Sequence, residues 1–170
     1  MILEQQLNAI TFTVYGEARP AGSKRAFMLR RKDGTPVTRP NGTPIINVTD
    51  DNPKSRDWKQ QVAHAAREAY QGELLTGPLR VSLRFYRPRP KGHYGAKGLN
   101  GKGRASIAPT QKPDVLKLAR GVEDACTGVV WRDDAQIVAE LITKDWGEPA
   151  RVEVIVEQLA EQDLIQRKAV

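Results

Sequence analysis

Hydrophobic and polar residues first alternate in "AITFTVYG", where Ile10, Phe12 and Val14 interleave with threonines. A period of two predicts a half-buried strand. The helical period follows in "DNPKSRDWKQQVAHAAREAYQ", where Trp58, Val62, Ala65, Ala66 and Ala69 form one apolar stripe. Asp51 or Asn52 is placed to cap this helix, and Pro53 suits its first turn. Strict alternation returns in "GPLRVSLRFYRP". Leu79, Val81, Leu83 and Phe85 point one way there, and Arg80, Ser82, Arg84 and Tyr86 the other. A second helix is predicted from about Val115 to Thr127, with Gly128 as its stop. "AQIVAELITKDW" and "ARVEVIVEQL" then read as two strands joined by a turn at "GEP".

The intervening segments lack a period. The stretch from Glu17 to Asp51 carries the turn signals "KDGT" and "PNGT", which predict a loop and an irregular hairpin ending in "PIINV". Residues 87–111 are Gly-rich and predict a long loop. The order β, hairpin, α, β, loop, α, β, β predicts a single α+β domain over residues 1–158, with two main helices. Residues 159–170 are read as a tail, either a short helix or a frayed end.

Composition narrows the classes. The chain has 170 residues, 39% of them hydrophobic and 28% charged, as an ordinary globular protein does. No apolar run approaches the roughly 20 residues needed to span a bilayer. "MILEQQLNAI" lacks the basic start of a secretion signal, so a cytoplasmic protein without membrane contact is expected. Cys126 stands alone and reads as a small buried residue rather than a disulfide or zinc ligand. His64 and His93 have no metal partner at a recognisable spacing.

Charge changes the picture more. The net charge is +7, and its distribution is uneven. Nine Lys or Arg and no acid lie between Arg80 and Lys112. Arg80 and Arg84 are on a strand; Arg87, Arg89, Lys91, Lys97, Lys102, Arg104 and Lys112 follow. Together with Lys24 and Arg25 they are candidate DNA contacts, whose affinity would fall steeply with salt. His93 and Tyr94 are candidates to stack on an unpaired base. Directly afterwards come Asp114, Glu123, Asp124, Asp133 and Asp134. Such carboxylates supply the hard oxygen ligands that magnesium takes, and magnesium keeps several of its waters. Asp114 also suits a plain helix N-cap, and the Asp133–Asp134 pair a solvated turn.

The run "KPDVLKLARGVEDACTGVVWRDDAQIV" resembles the signature of the RusA family of Holliday junction resolvases, common in bacteria, prophages and phages. The usual pattern is Lys-Pro-Asp-x-Asp-Asn-Leu-x-Lys, an apolar helix with Asp-Ala-Leu, Gly-Val-aromatic, and Asp-Asp-x-Gln-Ile/Val. The resemblance implies a mixed sheet packed by two main helices. It also implies a homodimeric, magnesium-dependent endonuclease acting on four-way junctions, with manganese able to substitute. By position, the family aspartates fall on Asp114 and Asp134, with Asp133 and Asp124 also matching, and the helix lysine falls on Arg120. The second family aspartate is replaced by Leu116, and the asparagine after it by Lys117. Glu123 lies about 20° from the azimuth of Leu116, roughly 10 Å further along the helix, and is a candidate to compensate. The resemblance makes Asp114, Asp134, Arg120 and Lys117 the catalytic candidates, and Asp114, Asp134, Asp133, Glu123 and Asp124 the metal candidates. Two other readings stand beside it: a branched-DNA-binding protein that has lost catalysis at Leu116, and an unrelated basic accessory protein.

Overall fold

Each alternating stretch forms a strand whose apolar side faces the helices. The computed structural model describes residues 9–21, 24–50 and 53–160. The elements run β1 (Ile10–Tyr15), β2 (Lys24–Met28), β3 (Ile46–Asp50), α1 (Pro53–Ala69), β4 (Leu79–Arg87), β5 (Tyr94–Gly95), β6 (Gly98–Leu99), α2 (Gly101–Ala105), α3 (Val115–Cys126), β7 (Ile137–Trp146) and β8 (Arg151–Gln158). The expected cap at Asp51 or Asn52 lies outside the described residues, as does most of the expected tail.

The main sheet has the order β1-β8-β4-β7. β8 runs antiparallel to both β1 and β4, while β4 and β7 are parallel, so the sheet is mixed. β7 and β8 are consecutive and joined by a turn, yet they are separated in the sheet by β4. Leu79, Val81, Leu83 and Phe85 of β4 and Val152, Val154 and Val156 of β8 are essentially fully buried. Each such side chain contributes about 1.5–3 kcal/mol on burial, so these two central strands seat the helices.

α1 contributes Trp58, Val62 and Ala66 to the core, while Ala69 at the end of its predicted stripe is exposed. α3 contributes Leu118, Ala119, Val122, Ala125 and Cys126. Cys126 is fully buried, and burial pushes its thiol up to about 12. Gly128, at φ +75°, turns the chain after α3 and donates its N–H to the Trp131 carbonyl at 2.7 Å. Trp131 is fully buried and its Nε1 donates to Thr127 Oγ1 at 3.1 Å. The link from α3 to β7 is therefore anchored at both ends.

β2 and β3 form the expected hairpin, extended by bridges at Arg30–Pro36 and Thr38–Pro44. The basic segment before it is tied to α3 by the Ala21 N–H bond to the Lys117 carbonyl, at 2.9 Å. Gly121 permits this approach, since a Cβ there would stand 3.3 Å from the Arg19 carbonyl oxygen.

The stretch expected as a long loop is a folded module. A 3-10 turn over Lys91–His93, the β5–β6 pair and α2 occupy its middle. Asn100 caps α2 by accepting from the Gly103 N–H at 2.9 Å, and its amide donates to the Gly92 carbonyl at 2.9 Å. Side chains bonded to backbone carbonyls hold this module together, and no hydrophobic period reveals them.

Candidate active site and nucleic-acid surface

α3 and β7 run in opposite directions along one side of the molecule. As a result the acids of the signature are divided between two ends. At the C-terminal end of α3, Glu123, Asp134 and Glu140 line a depression of about 430 Å³ with the first residues of β7. Glu123 is the most perturbed of them. Burial first, then a hydrogen bond and repulsion from Glu140, and then the charges of Asp124 and Asp134, raise its carboxyl to about 7. Glu123 therefore keeps its proton toward neutrality, with its hydrogen bond to Glu140 favouring the protonated form.

Asp114 stands at the other end, at the N-cap position of α3, and makes no side-chain cap bond. Its charge is felt by Lys144, near the end of β7. Burial and the Arg87 charge hold the Lys144 ammonium below its ordinary value, with Asp114 acting against them. Lys144 Nζ donates to the carbonyls of Gln111 and Pro113, at 2.9 and 3.0 Å. Glu123 follows Asp114 by nine positions, about 13 Å along the helix axis. Asp114 and Asp134 therefore stand at opposite ends of α3, because the return through Trp131 brings Asp134 beside Glu123.

The other metal candidates have partners of their own. Asp124 accepts from Lys59 Nζ at 2.7 Å and ties α3 to α1. Asp133 caps the 3-10 turn Asp134–Gln136 by accepting from the Ala135 N–H, and Gln136 completes the capping box. Each thus has a structural partner in this arrangement. Asp133 orients the backbone while its neighbour Asp134 is left to the depression. Leu116 is 68% exposed, so an apolar side chain faces solvent where the resemblance expects an acid. Lys117 and Arg120 are exposed on α3. Leu116, Arg120 and Glu123 follow at i, i+4 and i+7, which puts Arg120 on the stripe leading to Glu123.

Glu140 was not among the sequence candidates. It pairs in register with Val81, and Lys144 with Phe85, so both charges lie on the helix side of an edge strand. A charged residue in the inward phase of "IVAELITK" was the available signal.

Among the described residues, no three His, Cys, Asp or Glu side chains are already gathered around one point. The donor set still fits magnesium. It is all carboxylate, it is crowded enough to retain a proton when no cation is present, and one or two carboxylates suffice because water completes the shell.

The cations sort into three groups. Arg80 and Arg84 face outward from β4 and pair with Glu157 at 3.5 Å and Asp145 at 3.0 Å, within the sheet. Alternation shows which way these arginines point; it does not show that acid-bearing strands flank them. Arg87, Arg89 and Arg104 hold the 87–112 module together. Arg87 donates to the Lys112 carbonyl and pairs with Glu17, Arg89 donates to the Gly103 and Ser106 carbonyls, and Arg104 donates to Leu99. Lys91, Lys97, Lys102 and Lys112 are exposed and remain as a basic surface. The Lys24 and Arg25 side chains lie outside the described residues. His93 is buried against Trp146 at 5.6 Å, which removes it as an exposed stacking platform; Tyr94 is 46% exposed.

No helix among the described residues is long and apolar enough to cross a membrane. The family model for the endodeoxyribonuclease RusA matches residues 33–157, most of the chain. An uncharacterized protein of Bacillus subtilis (strain 168), YqaN, is 31% identical over 159 residues, covering 91% of this chain and 99% of that relative.

Proposed function

The chain belongs to the RusA family of endodeoxyribonucleases that resolve Holliday junctions, and on that premise we propose that it cuts branched DNA by magnesium-dependent phosphodiester hydrolysis. The observation that carries this is the grouping of Glu123, Asp134 and Glu140 around one depression. Asp134 and Glu123 are the metal-holding carboxylates, and Glu140 is the third acid that keeps them crowded. A divalent cation bound there supplies a hold on the scissile phosphate and a water of lowered pKa. Arg120, on the stripe leading to Glu123, stabilises charge on the phosphate oxygens, and Lys117 extends the cationic edge of α3. Asp114 supplies a separate carboxylate at the basic end of α3, beside the module that holds the DNA. Manganese substitutes for magnesium, since both accept oxygen ligands.

Symmetrical cutting of a four-way junction calls for a twofold assembly, and a homodimer of this chain provides it. We assign the contact to the sheet face that carries no helix. A row of Leu141, Ser82, Ile155 and Thr11 crosses that face, with Leu141 63% and Ile155 40% exposed. Arg80, Arg84 and Arg151 are paired there with Glu157, Asp145 and Glu153. On a chain of net charge +7, this is a face that a second copy approaches without repulsion.

The test compares a synthetic four-way junction with a matched linear duplex, in magnesium, in manganese and in chelator. Paired symmetrical nicks in the junction alone, lost in chelator and in Asp134→Asn and Glu123→Gln, are the expected result. Junction binding without cutting in either metal would favour the second reading, a binding protein that lost catalysis, which the exposed Leu116 supports. Leu116→Asp would then be the substitution to restore cutting.

A further inference from the structure

The 87–112 module and Trp146 of β7 line a half-open cavity of about 370 Å³, distinct from the acidic depression. Trp146, His93, Pro90 and Pro109 give it flat, largely apolar walls, and Lys102 and Lys112 add cations. Its volume lies in the range of small-ligand sites, which is more than a phosphate alone requires.

The walls are fixed by the protein itself. Trp146 Nε1 donates to the Ser106 carbonyl at 3.0 Å, and the Arg89 guanidinium lies over the same indole at 5.3 Å. Arg89 is held in turn by two carbonyls of the module. Gly103 packs directly on the His93 carbonyl, leaving no room for a Cβ. The cavity is therefore shaped before any ligand arrives. One polar atom inside the module is unused: His93 is 3% exposed and its Nδ1 has no partner.

The cavity also has an informative position. Gln111 and Lys112 line it, and the chain continues through Pro113 to Asp114. A ligand seated there lies where the basic module meets the N-terminal end of α3. Ring walls with a cationic edge suit a nucleobase carrying a phosphate. A base pair within a duplex cannot enter such a cavity, because its bases are stacked on both faces, whereas an unpaired base can leave the stack.

We propose that this cavity takes one unpaired nucleotide of branched DNA, its base against the Trp146 indole and its phosphate on Lys102 and Lys112. The proposal deepens the branched-DNA reading and rests on it: a base freed where stacking breaks at the branch point enters the pocket, and plain duplex offers no such base.

The probe is a duplex with a single extra-helical 2-aminopurine nucleotide, compared with the same duplex fully paired, both titrated in chelator. Expected are preferential binding of the bulged duplex and a fall in 2-aminopurine emission as the base stacks on Trp146. Trp146→Leu should reduce the preference about tenfold or more, the scale of a lost base–aromatic stack. Lys102→Ala, an exposed change that does not threaten the fold, should lower the salt slope of bulge binding by about one. Trp58 and Trp131 are buried, so quenching of tryptophan emission reports Trp146. Equal affinity for both duplexes, or unchanged 2-aminopurine emission with wild-type protein, would overturn the pocket. Cutting of a four-way junction, measured on the same preparation, separates the two claims. Normal cutting with unchanged emission removes the pocket alone; quenching and preference without cutting removes the nuclease reading and keeps the pocket.

Discussion

Glu123 is the residue at which local chemistry is most exposed to measurement. Its folded carboxyl titrates near 7, well above the ordinary 4.5 of an unfolded glutamate. A carboxyl raised on folding contributes stability that is fully present below about pH 4.5 and lost as pH rises through about 7. Without metal, the wild type should therefore weaken over that window, while Glu123→Gln, neutral throughout, should not share this part of the loss. Because Glu123 is only about half-buried, solvent screening limits the difference to about 1 kcal/mol. That is about 2–4 °C in melting temperature for a chain of this size. Thermal melts of both proteins in chelator at pH 5 and pH 8 check it: the variant should gain on the wild type at pH 8. Equal differences at the two pH values would mean that Glu123 is not perturbed by its neighbours. Cys126 shows the contrast, since the same burial that raises its thiol leaves it no catalytic use.

At the scale of elements, the 87–112 module is the test of what holds a segment without periodicity. Its structure depends on Gly103 lying against His93 and on side chains that bond carbonyls across the segment. Gly103→Ala should cost about 1–3 kcal/mol through overpacking, with the loss concentrated in the module. Limited trypsin digestion reads this, because Lys91, Lys97, Lys102 and Arg104 are exposed. Slow cleavage in the wild type and fast cleavage in the variant are expected; fast cleavage in both would show that the module is open. The same segment marks what the sequence could convey. Strands β1, β4, β7 and β8 and helices α1 and α3 were legible because each repeats an apolar position at a fixed period. The module was not, because a bond such as Arg89 to Ser106 joins residues that no period relates. The site divided in the same way. The run from Lys112 to Val138 marked Asp114 and Asp134 as candidates. Their placement at opposite ends of α3 followed from the antiparallel return through Trp131, and Glu140 emerged only once β7 was placed beside β4.

For the whole molecule, the proposed homodimer needs a face that a second copy can meet on a chain carrying +7. The 87–112 module presents exposed lysines, and the depression beside α3 presents acids, so neither suits a copy of itself. The open sheet face has opposite charges already paired and a central apolar row, which is the character of an isologous contact. Leu141 stands on β7 at an edge of the sheet and is bonded to nothing through its side chain, so changing it leaves the core intact. Leu141→Arg places an unpaired cation in that row, and across a twofold axis it places two. The wild type should elute from a sizing column, with mass read by light scattering, as a dimer, and the variant as a monomer with an unchanged melting temperature at low protein concentration. Junction cutting should then change from paired to single nicks, because one chain carries one acidic depression. A wild-type monomer, or a Leu141→Arg protein that still dimerises, would move the contact to another face. Loss of pairing without loss of nicking would show that each chain carries its own hydrolytic centre and that the dimer serves only to place two of them on one junction.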